Sequence, residues 1–260
     1  MIATKYINLR QKLKNSEATI GSWITLAHPS IAEIMAKAGF DWLVVDLEHS
    51  VIDINMASDL IRIIDLCGVA PLVRLTSNDQ NQIKRVMDAG AHGIIVPMVN
   101  PPAEAMMAVA ATRYPPVGSR GVGLARAQGY GANFHDHLKW QSEGPVVIIQ
   151  IEHKDAVGQL EAILKVPGVD GFIIGPYDLS CSMGVPGQFE QKEFVHTITR
   201  IHEIGKQVGS PAGIHIVEPD LQQLEQVVSD GYIFIAYSVD IRLLDIGVRQ
   251  GIARIKEIQG

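Results

Sequence analysis

The chain alternates short β-branched runs with amphipathic stretches, and this alternation constrains its fold more than any other feature. Runs typical of strands lie at 20–26, 42–47, 71–75, 93–97, 146–151, 171–174, 207–214 and 232–237. Several of the stretches between them end on a glycine, such as Gly39, Gly68 and Gly90, which favours a helix C-terminus. Such alternation indicates a parallel sheet of βα units, and about eight strands close a TIM (β/α)8 barrel.

The length of the chain favours one domain spanning residues 1–260, because an α/β barrel needs about this many residues. No change of composition resembles an interdomain linker. Helices are predicted at 31–38, 55–66, 81–89, 103–111, 155–164, 189–204, 221–228 and 239–258. The last of these would be the final helix of the barrel.

Charge and composition narrow the classes of partner. The net charge of -6 leaves no basic stripe, which argues against nucleic acid or an anionic membrane as a partner. The polar start of the chain, residues 1–16, has neither a signal peptide nor an apolar span. Cys67 and Cys181 cannot form a disulfide framework and are expected to be buried thiols. We therefore expect a cytoplasmic protein that acts on a small molecule.

One long segment, residues 114–139, interrupts the alternation. It is rich in glycine and contains Arg120 and Arg126, without an obvious strand. Loops of this length are often functional, although some are ordered surface excursions. Gly121 and Gly123 lack the third glycine of a dinucleotide-binding fingerprint and do not follow a strand, so no organic cofactor is expected.

Polar side chains follow several of the predicted strands, where a barrel carries its chemistry. They are Asp46, Glu48, His49, Arg74, Gln150, Glu152 and Asp178. Carboxylates bind hard cations, an imidazole transfers protons, and a guanidinium stabilises an oxyanion. Glu152 and Asp178 follow neighbouring strands, so we predict that they converge on a divalent metal site.

Each of these residues also has a structural alternative. Asp178 could cap a helix, Arg74 could form a salt bridge, and His49 could be a hydrogen-bonded loop residue. Trp23 could pack in the core or line a substrate pocket, and core packing is the commoner outcome. Residues that could line the mouth with less support are His28, His215, Tyr237, Ser238 and Asp240. Only the combination of residues favours a catalytic site.

A lysine that forms a Schiff base is the rival to a metal for stabilising negative charge next to a carbonyl group, and it needs a lysine inside the barrel. The lysines fall in predicted helices or at their edges, as at Lys37, Lys84, Lys154 and Lys206. None lies on a predicted strand. The sequence therefore favours a metal over a Schiff base.

Four ordered strings resemble the HpcH/HpaI family of metal-dependent class II pyruvate aldolases, and the similarity runs from about residue 20 to residue 241. The strings are Asp46-Leu47-Glu48-His49, Arg120-Gly121-Val122-Gly123, Gln150-Ile151-Glu152 and Gly175-Pro176-Tyr177-Asp178-Leu179-Ser180. The resemblance implies a TIM barrel that cleaves 4-hydroxy-2-oxo acids reversibly to pyruvate and an aldehyde. It also implies a homo-oligomer, a hexamer built as a trimer of dimers, in which helix 239–258 packs on a neighbouring subunit.

The resemblance also implies roles for individual residues. Glu152 and Asp178 would hold Mg²⁺ or Mn²⁺, with Co²⁺ as an alternative. Asp46 and His49 would form a base dyad, and Arg74 would lie over the pyruvate oxygen. The amides of Tyr177 and Asp178 would receive the pyruvate carboxylate. Trp23, Gln150, Tyr177 and Arg120 would contact the substrate.

Departures from the better known hydroxy-heptanedioate members leave the substrate open. Leu47 stands where those members have glycine, and Tyr177 stands where they have a small residue. A tyrosine there could narrow the aldehyde pocket or supply a hydroxyl to the aldehyde half of the substrate, and we expect a sugar-derived 2-oxo-3-deoxy acid as the substrate. The alternatives are an oxaloacetate decarboxylase that uses the same site and a non-catalytic barrel that binds a small acid.

Overall fold

The barrel is closed, and its strands follow one another in chain order. The structure, a computed structural model, describes residues 9–259. The strands are β1 (Thr19–Ile24), β2 (Trp42–Asp46), β3 (Ala70–Arg74), β4 (Gly93–Val96), β5 (Val146–Ile151), β6 (Gly171–Ile174), β7 (Ala212–Ile216) and β8 (Phe234–Val239). Each pairs in parallel with the next, and β8 pairs with β1. The prediction of a TIM barrel is confirmed.

Helices surround the barrel. They are α1 (Leu9–Lys14), α2 (Pro29–Lys37), α3 (Ile54–Leu66), α4 (Gln80–Ala89), α5 (Pro102–Thr112), α6 (Phe134–Glu143), α7 (Lys154–Leu164), α8 (Pro176–Ser182), α9 (Lys192–Val208), α10 (Leu221–Ser229) and α11 (Asp240–Gln259). Asp53, Asp79 and Asp220 cap α3, α4 and α10, because each carboxylate accepts hydrogen bonds from first-turn amides.

Two predicted segments differ from the structure. The seventh strand was predicted at 207–214 but begins at Ala212, because α9 continues through Val208 and ends on Gly209 at φ 69°. Segment 114–139 contains a 3-10 turn, Arg126–Gly131, and the first part of α6, and is not one long loop. Arg126 holds the turn against the barrel by donating hydrogen bonds to Asp65 and to the Ala89 carbonyl.

Large side chains fill the N-terminal half of the barrel. Trp42 and Phe234 open their strands and stack with ring centroids 3.9 Å apart. A Cβ at Gly21 would lie 2.1 Å from the Trp42 ring, so the tryptophan needs a glycine on the neighbouring strand. Because this end is packed, an open site can form only at the carboxyl ends of the strands.

Two cysteines at the outer surface differ from the expectation. Cys67 and Cys181 are free and exposed, which corrects the prediction that both are buried. Cys67 lies at the C-terminus of α3, where the chain has already left the core. In the part of the chain from 9 to 259, no helix has the length and apolar character that a membrane crossing requires.

Candidate active site

A cavity of about 420 Å³ opens at the carboxyl ends of the strands. Six of the residues predicted for the site line it: Trp23, His49, Arg74, Gln150, Tyr177 and Asp178. They come from five strands or the loops after them, so only the closed barrel brings them together. Its volume is in the range of small-molecule sites.

Arg74 binds Asp46 through two parallel hydrogen bonds on the floor of the site. Nε donates to Oδ1 at 2.8 Å and Nη2 donates to Oδ2 at 2.6 Å. The two residues are direct partners in the register of β2 and β3, which places both side chains at the same height. Because both groups are charged and largely buried, this is a strong, oriented pair.

The base dyad predicted between Asp46 and His49 is not formed, because the Asp46 carboxylate does not contact the His49 imidazole. The Asp46 carboxylate contacts His49 only through a long backbone hydrogen bond, N to Oδ1 at 3.4 Å. Its two oxygens already accept from Arg74. The His49 ring is 63% exposed, and its nearest carboxylate is that of Glu48, at 3.9 Å from Nε2 to Oε2.

Glu48 is a site residue to which the sequence reasoning assigned no role. Its Oε2 is buried without a hydrogen-bond partner, although Nη1 of Arg74 lies 3.3 Å away. Burial raises the pKa of Glu48 to about 7; Arg74 opposes the shift, and nearby carboxylates, led by Glu152, add to it. The charge of Arg74 does not offset the cost of burying the Glu48 carboxylate, so this group is suited to a site that binds a cation.

Glu152 is buried at the end of β5 and held in place by two donors. The backbone amide of Met98 donates to Oε1 at 2.6 Å, and the Gln150 side chain donates to Oε2. Burial raises the pKa of Glu152, and the charge of Asp178 acts in the same direction. A Cβ at Gly175 would lie 2.8 Å from Oε2, so that position needs a glycine for the carboxylate to fit.

Asp178 lies in the first turn of α8, not at its N-cap, which is Gly175. A capping role therefore does not explain it. Its side chain is exposed and lines the cavity, and its charge acts on both Glu48 and Glu152. Among residues 9–259, no group of three or more His, Cys, Asp or Glu side chains has the arrangement to hold a metal by itself.

Trp23 and Tyr177 differ in exposure. Trp23 is 3% exposed, belongs to the inner core cluster and also lines the cavity, where the Arg74 guanidinium lies 4.4 Å from its ring centroid. Tyr177 is 63% exposed and packs edge-on against Phe189, with centroids 5.0 Å apart. Tyr177 therefore lies at the rim of the cavity, whereas Trp23 lies in its wall.

Arg120 lies outside this cavity, although the sequence placed it at the substrate. Its side chain is completely buried, with the guanidinium 4.3 Å from the Tyr114 ring centroid and 3.3 Å from Nε2 of His137. Asp88, near the C-terminal end of α4, lies 3.7 Å away. Segment 114–139 folds back onto the outer helices, and this removes Arg120 from the mouth.

Comparison with known proteins identifies the family. The model of the HpcH/HpaI aldolase/citrate lyase family matches residues 19–245. The chain belongs to this family. A protein of Rhizobium etli named pyruvate aldolase is 41% identical over 91% of this chain and 92% of its own. A 4-hydroxy-2-oxo-heptane-1,7-dioate aldolase of Salmonella dublin is 37% identical over 94% of this chain and 93% of its own.

Solved structures agree with this assignment. The crystal structure of an HpcH/HpaI aldolase/citrate lyase family protein from Burkholderia cenocepacia has a TM-score of 0.89 and 33% identity, and covers 95% of this chain and 98% of its own. The family membership and the aldolase-named relatives confirm that this HpcH/HpaI protein is a carbon-carbon lyase.

Proposed function

We propose that this HpcH/HpaI protein uses Mg²⁺ or Mn²⁺, or alternatively Co²⁺, to cleave a 4-hydroxy-2-oxo acid reversibly to pyruvate and an aldehyde. The observation that carries the proposal is the gathering of Asp178, Arg74 and His49 around one cavity, with Glu152 buried at its floor. Relatives named as aldolases support the reaction class. Among residues 9–259 no lysine lies on a strand, which supports a metal over a Schiff base.

The donors fit a hard divalent cation. Glu152 and Asp178 would supply carboxylate oxygens, and the Glu48 carboxylate, which lies 3.3 Å from Arg74, adds negative charge nearby. Repulsion among these acids contributes to the raised pKa values of Glu48 and Glu152. When bound, the cation would polarise the 2-oxo group and stabilise negative charge as the substrate splits.

The side chains of the site would carry the remaining chemistry. His49 takes the proton of the C4 hydroxyl, the C3–C4 bond breaks, and its electron pair passes into the enolate of pyruvate while C4 becomes the aldehyde carbonyl. Arg74 stabilises the enolate oxygen, and Asp46 keeps the guanidinium in place. A proton then returns to C3 to give pyruvate. The reverse reaction uses the same groups.

The proposal predicts that pyruvate release depends on a metal. Pyruvate formed from 4-hydroxy-2-oxo-heptanedioate, measured with lactate dehydrogenase, should stop after chelation and return when Mg²⁺ or Mn²⁺ is added. Oxaloacetate serves as the second substrate, because a decarboxylase would release pyruvate from it without an aldehyde. If only oxaloacetate is turned over, the protein is a decarboxylase and not an aldolase. If a substrate binds without any turnover, the protein is a non-catalytic barrel that binds a small acid.

We also infer a homo-oligomer, with a hexamer as the expected state, and α11 supplies the argument. Ile241, Leu244, Val248, Ile252 and Ile255 are each 45–58% exposed and recur every three or four residues, so they form one apolar stripe. Every residue from 247 to 259 is exposed. A helix that leaves its own barrel with an apolar face uncovered is suited to packing on a second copy of the chain.

Charges introduced into this stripe should disrupt the assembly. We expect Val248→Glu combined with Ile252→Glu to shift the mass measured by light scattering towards the monomer, because a buried interface does not tolerate unpaired carboxylates. Gln250→Glu changes an exposed position off the stripe and should leave the mass unchanged. An unaltered mass in the double variant would contradict packing through α11.

A further inference from the structure

The side chains at the mouth differ in polarity from one group of strands to another. Asp46 and Arg74 come from β2 and β3 and Glu152 follows β5, whereas His215 comes from β7 and Trp23, which packs on Arg74, comes from β1. In the closed strand order, β7, β8 and β1 form one continuous arc. Under the proposed function, the pyruvyl half of the substrate lies at Arg74 and Glu152, and the aldehyde half extends along this arc.

Trp23 presents a hydrogen-bond donor that the protein does not use. Its indole Nε1 is buried and has no partner, on a side chain that is 3% exposed and lines the cavity. A buried N–H without an acceptor is costly, and native structures usually pair it with another group or a ligand. The donor is therefore left unsatisfied on a side chain that borders the cavity.

His215 presents an acceptor beside this donor. Its ring lies 5.3 Å from that of Trp23, between centroids, and also lines the cavity. Nε2 lies 3.1 Å from the Ser238 carbonyl oxygen, which can only accept, so Nε2 carries the proton. Burial lowers the pKa of His215 to about 4, against the hydrogen bond to Ser238, so the ring is neutral near pH 7 and Nδ1 keeps its lone pair.

A strained backbone at Ser238 fixes this tautomer. Ser238 has φ 57°, a left-handed conformation that is rare for residues other than glycine. The pairing of β1 with β8 shifts at this point, since Gly21 pairs with Ala236 but Trp23 pairs with Val239. The extra residue forms a bulge that turns the carbonyl towards His215. Bulges and strained residues cluster next to functional sites.

We propose that Trp23 and His215 together bind a hydroxyl group on the aldehyde half of the substrate. A hydroxyl both accepts and donates, so it satisfies the indole N–H and Nδ1 of the imidazole at once. The preferred substrates then belong to the class whose aldehyde product carries a hydroxyl next to its carbonyl. This inference rests on the proposed aldol reaction and extends it to specificity.

Aldol addition of pyruvate to two matched aldehydes tests the proposal. Lactaldehyde and propanal differ only by the hydroxyl at C2. Wild-type kcat/KM should be about tenfold or more higher for lactaldehyde, because this is the effect expected from one buried hydrogen bond. The preference should fall by about tenfold in His215→Leu and in Trp23→Phe, which keeps an aromatic ring. His196→Leu removes an exposed histidine of α9 and should keep both the activity and the preference.

Indole signals provide a second measurement. The chain has three tryptophans, so ¹⁵N-labelled protein gives three indole peaks, and Trp23→Phe identifies that of Trp23. Lactaldehyde with pyruvate should move this peak further than propanal does. Equal use of both aldehydes by the wild type, or an unchanged preference in His215→Leu, overturns this inference and leaves the aldolase proposal intact. Failure to consume pyruvate with either aldehyde overturns both.

Discussion

Glu152→Gln and Asp178→Asn should each lower kcat for pyruvate release by more than about 100-fold while the barrel stays folded. Both substitutions keep the side-chain volume and remove a charged oxygen ligand, so the cation loses an anionic anchor. Glu152→Gln also keeps the close fit against Gly175. Steady-state kinetics at saturating Mn²⁺, with circular dichroism for the fold, would measure the effect.

Metal affinity separates a lost ligand from a lost catalytic group. Calorimetric titration with Mn²⁺ should show weaker binding in both variants, independent of turnover. Asp155→Asn is the matched control, because Asp155 is an exposed carboxylate in the first turn of α7, three residues after Glu152, and does not line the cavity. If either variant keeps both wild-type activity and wild-type Mn²⁺ affinity, the pair of ligands is assigned wrongly.

The barrel could be predicted because its signal is local. The strands β5 and β6 occupy the predicted residues, since buried parallel strands are continuous apolar runs bounded by polar residues. The seventh strand begins later than predicted because residues 207 and 208 belong to α9, which ends only at Gly209. Helix α6 was missed, since its sequence contains three aromatic or histidine side chains in its first four residues and lacks a cap hydrogen bond.

Contacts within the site depend on how neighbouring strands align, and this register cannot be read from the sequence. The residue types at the mouth were predictable, and six of the nine predicted positions line the cavity. The partner of Asp46 was not, because its pairing with Arg74 follows from the alignment of β2 with β3. For the same reason the role of His215 was hidden, since it depends on a bulge in β8 and on Trp23 of β1. The roles of the catalytic residues stay predictions.

Arg74→Lys should lower kcat/KM by about 100-fold or more, although the positive charge is retained. The guanidinium makes two hydrogen bonds to Asp46, at 2.8 and 2.6 Å, and lies 3.3 Å from Glu48. It also lies 4.4 Å from the centroid of the Trp23 ring. A lysine is a single point donor and cannot hold this plane or present a fork to the enolate oxygen. The thermal midpoint should change much less than the rate, since the buried Asp46 keeps a cationic partner.

Arg126→Lys is the matched control for this substitution. Arg126 also pairs with a carboxylate, that of Asp65, and with the carbonyl of Ala89, but it lies outside the cavity lining. Its replacement should lower the thermal midpoint and leave kcat/KM close to that of the wild type, the reverse of the result expected at Arg74. If Arg74→Lys keeps wild-type kinetics, or loses stability and rate in the proportion seen for Arg126→Lys, then Arg74 is a structural ion pair. A selective loss of rate would place its guanidinium at the developing negative charge.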